Sequence, residues 1–235
     1  MIEKRAYQDL GAFDNAWLKA RYHFSFADYY DVRYRRFGHL RVINDDVIQP
    51  QSGFDTHGHQ HMEIITIVRQ GVLTHTDNQG NRGQIHAGDI QIMRAGDGIF
   101  HAEYNLGHVP VVAYQIWILP REKGGKPQWE QWSNALKASG FNQWQTIVTD
   151  CQNQQDAKVL GINQASCIRV GHFEVNHVLE DTLRYPYGYL LVHQGRVQLA
   201  DGTVLSAGDG AMISEQLDWT ATVEKAASLV LIETV

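Results

Sequence analysis

Two short stretches of the 235-residue chain carry side chains at a spacing that suits metal chemistry. One is His57-Gly58-His59 and the other is His101-Ala102-Glu103. In a β-strand, residues i and i+2 point to the same face, so each pair offers two donor groups to one point. Three neutral imidazole nitrogens and one carboxylate suit a divalent first-row metal and leave positions open for water, dioxygen or substrate. Open N/O sites of this kind do chemistry, whereas closed tetrahedral thiolate sites are structural.

Histidine is abundant here, and nine of the twelve fall within residues 1–108. Glu63 competes with Glu103 for the role of carboxylate ligand. On a straight strand at about 3.3 Å per residue it lies about 13 Å from His59 and needs a bend to return. Glu103 is only two positions from His101, which favours Glu103. His61 can be read as a ligand, a pocket residue or a solvent-facing residue. His75, His86, His108, His172, His177 and His193 have no partner at ligand spacing and are read as ordinary.

The elements that must position these groups read as strands. Ile64 to Val68, Gly71 to His75, Asp89 to Met93 and Val111 to Leu119 are strand-like runs. Turns such as Asp77-Asn78-Gln79-Gly80 and Ala95-Gly96-Asp97-Gly98 separate them, a pattern of antiparallel sandwiches and barrels. Val42 to Asp46 reads as a strand running into an Asx-type turn. Alternation in Val32-Arg33-Tyr34-Arg35 places the small basic cluster of Arg33, Arg35, Arg36 and Arg41 on a solvated strand face. Residues 121–145 read as a linker, with a short helix over Gln128 to Ser139 closed by Gly140. Strands resume from Thr146, which predicts an all-β chain with domains over 1–120 and 146–235.

The second half echoes the first. Val68-Arg69-Gln70-Gly71 matches Val192-His193-Gln194-Gly195, and Ala87-Gly88-Asp89 matches Ala207-Gly208-Asp209, the mark of a duplicated unit. Counting back from Gly71 and Gly195 sets His57 against Asp181, His59 against Leu183 and Glu63 against Tyr187. Counting forward from Gly88 and Gly208 sets His101 against Ala221. The second copy lacks the histidines, so metal chemistry is expected in the first alone.

These stretches also carry a resemblance. Gly53, His57-Gly58-His59, Glu63 and Gly71 look like the first cupin motif, and Gly88 with Gly98 to Asn105 looks like the second. Tyr22 to Tyr30, Phe37 to Asn44, Gly80 to Gly83 and Gly88 to Glu103 are similar to the pirin family of two-domain cupins. The resemblance implies a bicupin of two antiparallel β-barrel or jelly-roll domains. It implies the ligand set His57, His59, His101 and Glu103 around one divalent metal, with iron first and Mn, Co, Ni, Cu or Zn as alternatives. It further implies a quercetin 2,3-dioxygenase-like enzyme that cleaves flavonols with O2 and releases carbon monoxide, Glu103 acting as ligand, base or both. The alternative from the same family is a non-enzymatic, redox-sensing regulator that works through protein partners.

Composition narrows the classes. Twenty Lys and Arg against 26 Asp and Glu leave a net charge of −6, which disfavours direct nucleic-acid or anionic-lipid partners. No apolar run approaches a membrane span, and no apolar run follows the N-terminal Met1 to Arg5, so no secretory signal is expected. Cys151 and Cys167 are too few for a disulfide scaffold, and a cytoplasmic monomer is the expectation. No GxSxG, P-loop or dinucleotide fingerprint is present to support serine hydrolysis or nucleotide binding.

Overall fold

A computed structural model of the chain describes residues 1–137, 140–156 and 158–235. The first half is built from two antiparallel sheets. One has seven strands, in the order Gln128–Trp132, Ile90–Arg94, Glu63–Gln70, Val111–Ile118, Leu40–Ile48, Leu18–Tyr22 and Gly11–Asp14. The other has four, in the order Ser52–His59, Ile99–Asn105, Val72–Asp77 and Arg82–His86. The second half forms a single nine-stranded sheet, whose edge strand Ile2–Arg5 comes from the start of the chain and pairs with Gly210–Ile213. Among the described residues no helix is long and apolar enough to cross a membrane.

The apolar pattern explains the layering. Within Glu63–Gln70, the residues from Glu63 to Val68 are all buried, because this strand is covered on both faces. Val68 packs inside the first half with Leu73, Ile85 and Val111. Ile65 and Ile67 face the other way, into a cluster with Ile168, Val170, Tyr189, Leu191 and Ile232 of the second half. Each such side chain removed from water contributes roughly 1.5–3 kcal/mol. The two halves therefore share one apolar seam, and the site's scaffold is fixed from behind.

The repeated turns are built alike. Gly71 and Gly195 have φ of 77° and 86°, and Gly88 and Gly208 have φ of 96° and 87°, a conformation natural to glycine. The Gly88 N–H donates to the Val68 carbonyl at 2.9 Å, and the Gly208 N–H to the Val192 carbonyl at 2.8 Å. Asp89 and Asp209 each accept from the backbone three residues earlier, at 2.9 Å.

The structure corrects four expectations. The segment expected as a helix holds the edge strand Gln128–Trp132 and one 3-10 turn, Ala135–Lys137. All five residues of the strand pair antiparallel with Ile90–Arg94, so the open sheet edge prevails over the helical spacing, and Ala138 and Ser139 lie outside the described residues. Asp45 and Asp46 do not turn the chain but sit mid-strand in Leu40–Ile48, where Arg69 pairs with Asp45. Val32–Tyr34 is a 3-10 turn capped by Asp31, which also binds Arg33, and Arg41 donates to the Ser25 carbonyl.

The repeat register also shifts. His57 pairs with His101 and His59 with Ile99, whereas Ala221 pairs with Leu179 and Trp219 with Asp181. Leu179 therefore stands for His57 and Asp181 for His59, because the second copy carries two more residues in the following loop.

Candidate metal centre

The strands Ser52–His59 and Ile99–Asn105 run antiparallel with His57 opposite His101. Cross-strand partners share a sheet face, so both rings project into the same space as His59. Ring centroids lie 4.8 Å apart for His57 and His59, 4.5 Å for His57 and His101, and 4.9 Å for His59 and His101. One nitrogen from each ring lies within 4.8 Å of the others. Beyond His101 the ladder slips by one residue, with Glu103 opposite Phe54. Such a bulge twists the strand and re-aims the side chains that follow it.

Nitrogen lone pairs are available at this point. His57 Nδ1 donates to the Asp55 carbonyl at 2.8 Å, which leaves Nε2 bare. His101 Nε2 is buried without a partner among the described residues. Burial, and then the neighbouring His57, push His59 down to about 4. Burial, then His57, His59 and His75, push His101 down to about 2. Both rings are neutral at pH 7, as ligation requires. An orphaned nitrogen beside two convergent imidazoles fits a first-row divalent metal.

Glu103 joins from a different direction. Its carboxylate lies within 4.8 Å of nitrogens on His75 and His101, in a second group that shares His101 with the first but does not include His57 or His59. It is fully buried, and burial lifts it to about 7 against the pull of hydrogen bonds from Gln91 and Gln115. Glu63 lies in neither group. It faces Arg94 and Ile118 across the seven-stranded sheet and accepts from the Asn163 backbone, and burial raises it to about 7. His61 adopts a left-handed backbone with φ 53°, and its Nδ1 lies against the Gly96 carbonyl and the Gly124 amide.

A cavity of about 360 Å³ opens beside the imidazoles, its wall formed by His57, His59 and Glu103. Trp17, Phe26, Phe54 and Trp117 give it aromatic walls, and Asn44, Asp46 and Gln115 give it polar points. This combination suits a small, largely apolar ligand.

Comparison with known proteins agrees with this geometry. The Pirin family model matches residues 3–118, and the model described as quercetinase C-terminal cupin domain matches residues 151–234. A pirin-like protein of Caulobacter vibrioides is 40% identical over 99% of both chains. The chain belongs to the pirin family. A quercetin 2,3-dioxygenase of Escherichia coli is 48% identical over 132 residues, 56% of this chain and 57% of that one. The crystal structure of the E. coli protein YhhW superposes with a TM-score of 0.92 at 32% identity, covering 100% of this chain and 98% of that one. The nickel(II) complex of YhhW gives 0.90 at 32%, covering 100% and 99%. Like its pirin relatives, the chain is an all-β bicupin.

The structure corrects the expectation that His75 is an ordinary histidine and adds to this pirin site residues to which the sequence assigned no role. His75 lies against His101, with Nδ1 to Nδ1 at 3.5 Å, and its Nε2 lies 3.2 Å from Asp77. His75-Thr76-Asp77 repeats the i, i+2 spacing of the two motifs, and that was its signal. Gln91 lies between Ile90 and Ile92, and Gln115 between Tyr114 and Ile116, in the strands Ile90–Arg94 and Val111–Ile118. Trp129 comes from the segment read as a linker and stacks on His75 at 5.3 Å and 14°.

Proposed function

We propose that the chain is a metal-dependent dioxygenase that opens the heterocycle of flavonols with O2 and releases carbon monoxide. In this reading His57, His59, His101 and Glu103 hold one metal. The observation that carries it is the convergence of three imidazoles, one with an orphaned buried nitrogen, at the wall of an aromatic cavity. Iron is the first choice, and Mn, Co, Ni, Cu and Zn suit the same donors. The nickel(II) complex of YhhW supports a site of this type. When bound, such an ion supplies Lewis acidity toward a substrate hydroxyl and the electronic coupling that triplet dioxygen needs to react with a closed-shell molecule.

The chain's own groups do the remaining work. Phe26, Phe54 and Trp117 flank a flat ring system and keep water from it. Glu103 takes the proton of the flavonol 3-hydroxyl on a carboxylate oxygen, at hydrogen-bond reach from the cavity. Burial, then Asp45 and Glu103, lift Asp46 to about 8, so at neutral pH it presents an O–H to a substrate oxygen.

The same reading gives the metal chemistry to residues 1–120, connection to 121–145, and a degenerate, metal-free domain to 146–235. Leu179 and Ala221 there lie in an apolar cluster with Leu199 and Val223. The free thiols Cys151 and Cys167 fit a reducing cytoplasm.

The test is oxygen uptake and carbon monoxide release by metal-reconstituted protein given quercetin. Turnover with at least one of the six metals is expected. A fully loaded protein that leaves quercetin unchanged with every metal would sink the enzyme reading and leave a regulator acting through protein partners.

A further inference from the structure

The next inference rests on the reading that Glu103 belongs to the metal centre. Its carboxylate is gripped by two matched arms. Gln91 Nε2 donates to Oε1 at 2.6 Å, and Gln115 Nε2 donates to Oε2 at 2.9 Å. Each glutamine in turn accepts from an indole. Trp129 Nε1–H donates to Gln91 Oε1 at 2.8 Å, and Trp117 Nε1–H donates to Gln115 Oε1 at 3.0 Å.

The order of these bonds is fixed by chemistry. A glutamine amide can turn over and exchange its donor end for its acceptor end. An indole N–H can only donate, so each tryptophan claims a glutamine carbonyl and turns the NH2 group toward Glu103. The second Gln91 proton has Thr66 Oγ1 at 3.3 Å, which completes that amide. A donor at each oxygen fixes the Glu103 rotamer from both sides.

The arms also touch the imidazoles. Trp129 stacks on His75, and Trp117 meets His59 edge-on at 4.9 Å and 85°. Room for Trp129 is built in, since a Cβ on Gly83 would fall 2.4 and 2.6 Å from its ring. The arms differ in one respect. Gln115 and Trp117 line the cavity, whereas Gln91 is buried behind it. The buried arm therefore holds the carboxylate whatever occupies the cavity.

We propose that Trp129–Gln91 and Trp117–Gln115 are paired positioning arms that hold the Glu103 side chain in one rotamer beside the imidazoles, and thereby set the centre's affinity for metal. Outer partners of metal ligands commonly govern affinity by about 10–100-fold. The tryptophans act only through the glutamines, and the glutamines only through Glu103.

That chain of dependence is the test. Ni(II) affinity of the full chain is measured by competition with a chelator, and Co(II) loading is followed by its visible spectrum. Trp129→Phe and Gln91→Met should each weaken Ni(II) binding by about 10–100-fold and shift the Co(II) bands. The double variant should bind no more weakly than Gln91→Met alone, and Trp129→Phe should change nothing further in a Glu103→Gln background. If a variant of this arm does not fold, Trp117→Phe and Gln115→Met form the same cycle on the other. Additive losses, or a full Trp129→Phe effect without the Glu103 carboxylate, would overturn the proposal. Wild-type Ni(II) binding with all four single variants unshifted would overturn the arms alone. A wild-type chain that takes up no Ni(II) would overturn the metal-centre reading beneath them.

Discussion

His75 Nε2 and Asp77 Oδ2 lie 3.2 Å apart, with both side chains out of reach of solvent. Asp77 also accepts from the Gln79 and Asn81 backbone N–H groups and from Asn81 Nδ2. A carboxylate held by three donors is ionised, so His75 gives it the Nε2 proton and keeps Nδ1 bare. His101 Nδ1, 3.5 Å away, then carries the hydrogen shared between the two rings. The lone pair of His101 consequently sits on Nε2, the nitrogen that has no partner among the described residues. Tautomer control of this sort is how outer residues orient metal-binding histidines.

Asp77→Asn tests this relay. The amide oxygen still serves the turn, but the anion that fixes the His75 tautomer is gone. Metal affinity should fall by about tenfold while the fold persists. Chelator competition and thermal unfolding of the metal-free chain read the two separately. Unchanged affinity would mean that His101 needs no help to present Nε2.

Metal should sit in the first half only. His57→Ala with His59→Ala should remove the roughly one equivalent found by elemental analysis, and Asp181→Ala should leave it. Loading should also raise stability by about 2.7 kcal/mol at a hundredfold excess over Kd. Two tightly held equivalents per chain, or full loading of the double variant, would contradict a single centre.

Much of this centre was legible because a strand's period of two converts spacing directly into direction. His57-x-His59 and His101-x-Glu103 announce themselves that way, and the structure brings the three imidazoles together. Gln91, Gln115 and Trp129 were not legible. Their roles arise from three strands distant in sequence, and a glutamine between apolar neighbours does not reveal which carboxylate it will meet. Trp129 was misplaced for the same reason. In the sequence its spacing with Trp132 and Leu136 is compatible with a helix, and only the facing edge of Ile90–Arg94 makes it a strand. The register of the second copy failed at a loop-length difference, which motif counting cannot see.

Glu63 should govern part of the pH dependence of stability. Its folded value, about 7, lies above the ordinary 4.5 because the group is buried. Between these values the unfolded chain has released the proton and the folded chain has kept it, so stability falls as pH rises. The contribution is fully present below about 4.5 and gone above about 7, and is on the order of 3 kcal/mol at most. Urea midpoints of metal-free protein at pH 5 and pH 8 should therefore converge in Glu63→Gln relative to wild type, and metal uptake should persist. An unaltered difference between the two pH values would show that Glu63 ionises normally.

Gly83→Ala should disturb the site from outside it. The new Cβ meets the indole of Trp129 at 2.4 Å and 2.6 Å, and a ring held by a hydrogen bond and a stacked histidine has little room to give. Overpacking of this type costs about 1–3 kcal/mol. Metal affinity should fall along with the melting temperature, and loss of stability with wild-type affinity would mean that the indole moved without releasing Gln91.

Glu103→Asp separates holding a metal from moving a proton. The variant keeps the charge but withdraws it by one methylene, which also breaks the reach to Gln91 and Gln115. Three imidazoles remain, so the metal should be retained, though more weakly. The rate should fall by about a hundredfold, because misplacement of a reacting group by about 1 Å carries a cost of that size. Removing an imidazole behaves differently: in His101→Ala metal content and rate should fall together, since the shared donor of both groups is lost. The rate of Glu103→Asp is compared with that of wild type on fully loaded protein, with a flavonol whose 3-hydroxyl is still protonated at the assay pH. A metal-replete Glu103→Asp with unchanged rate would remove Glu103 as the proton acceptor, and the exposed side of the cavity, where Asp55 pairs with Tyr104, would be the next place to look.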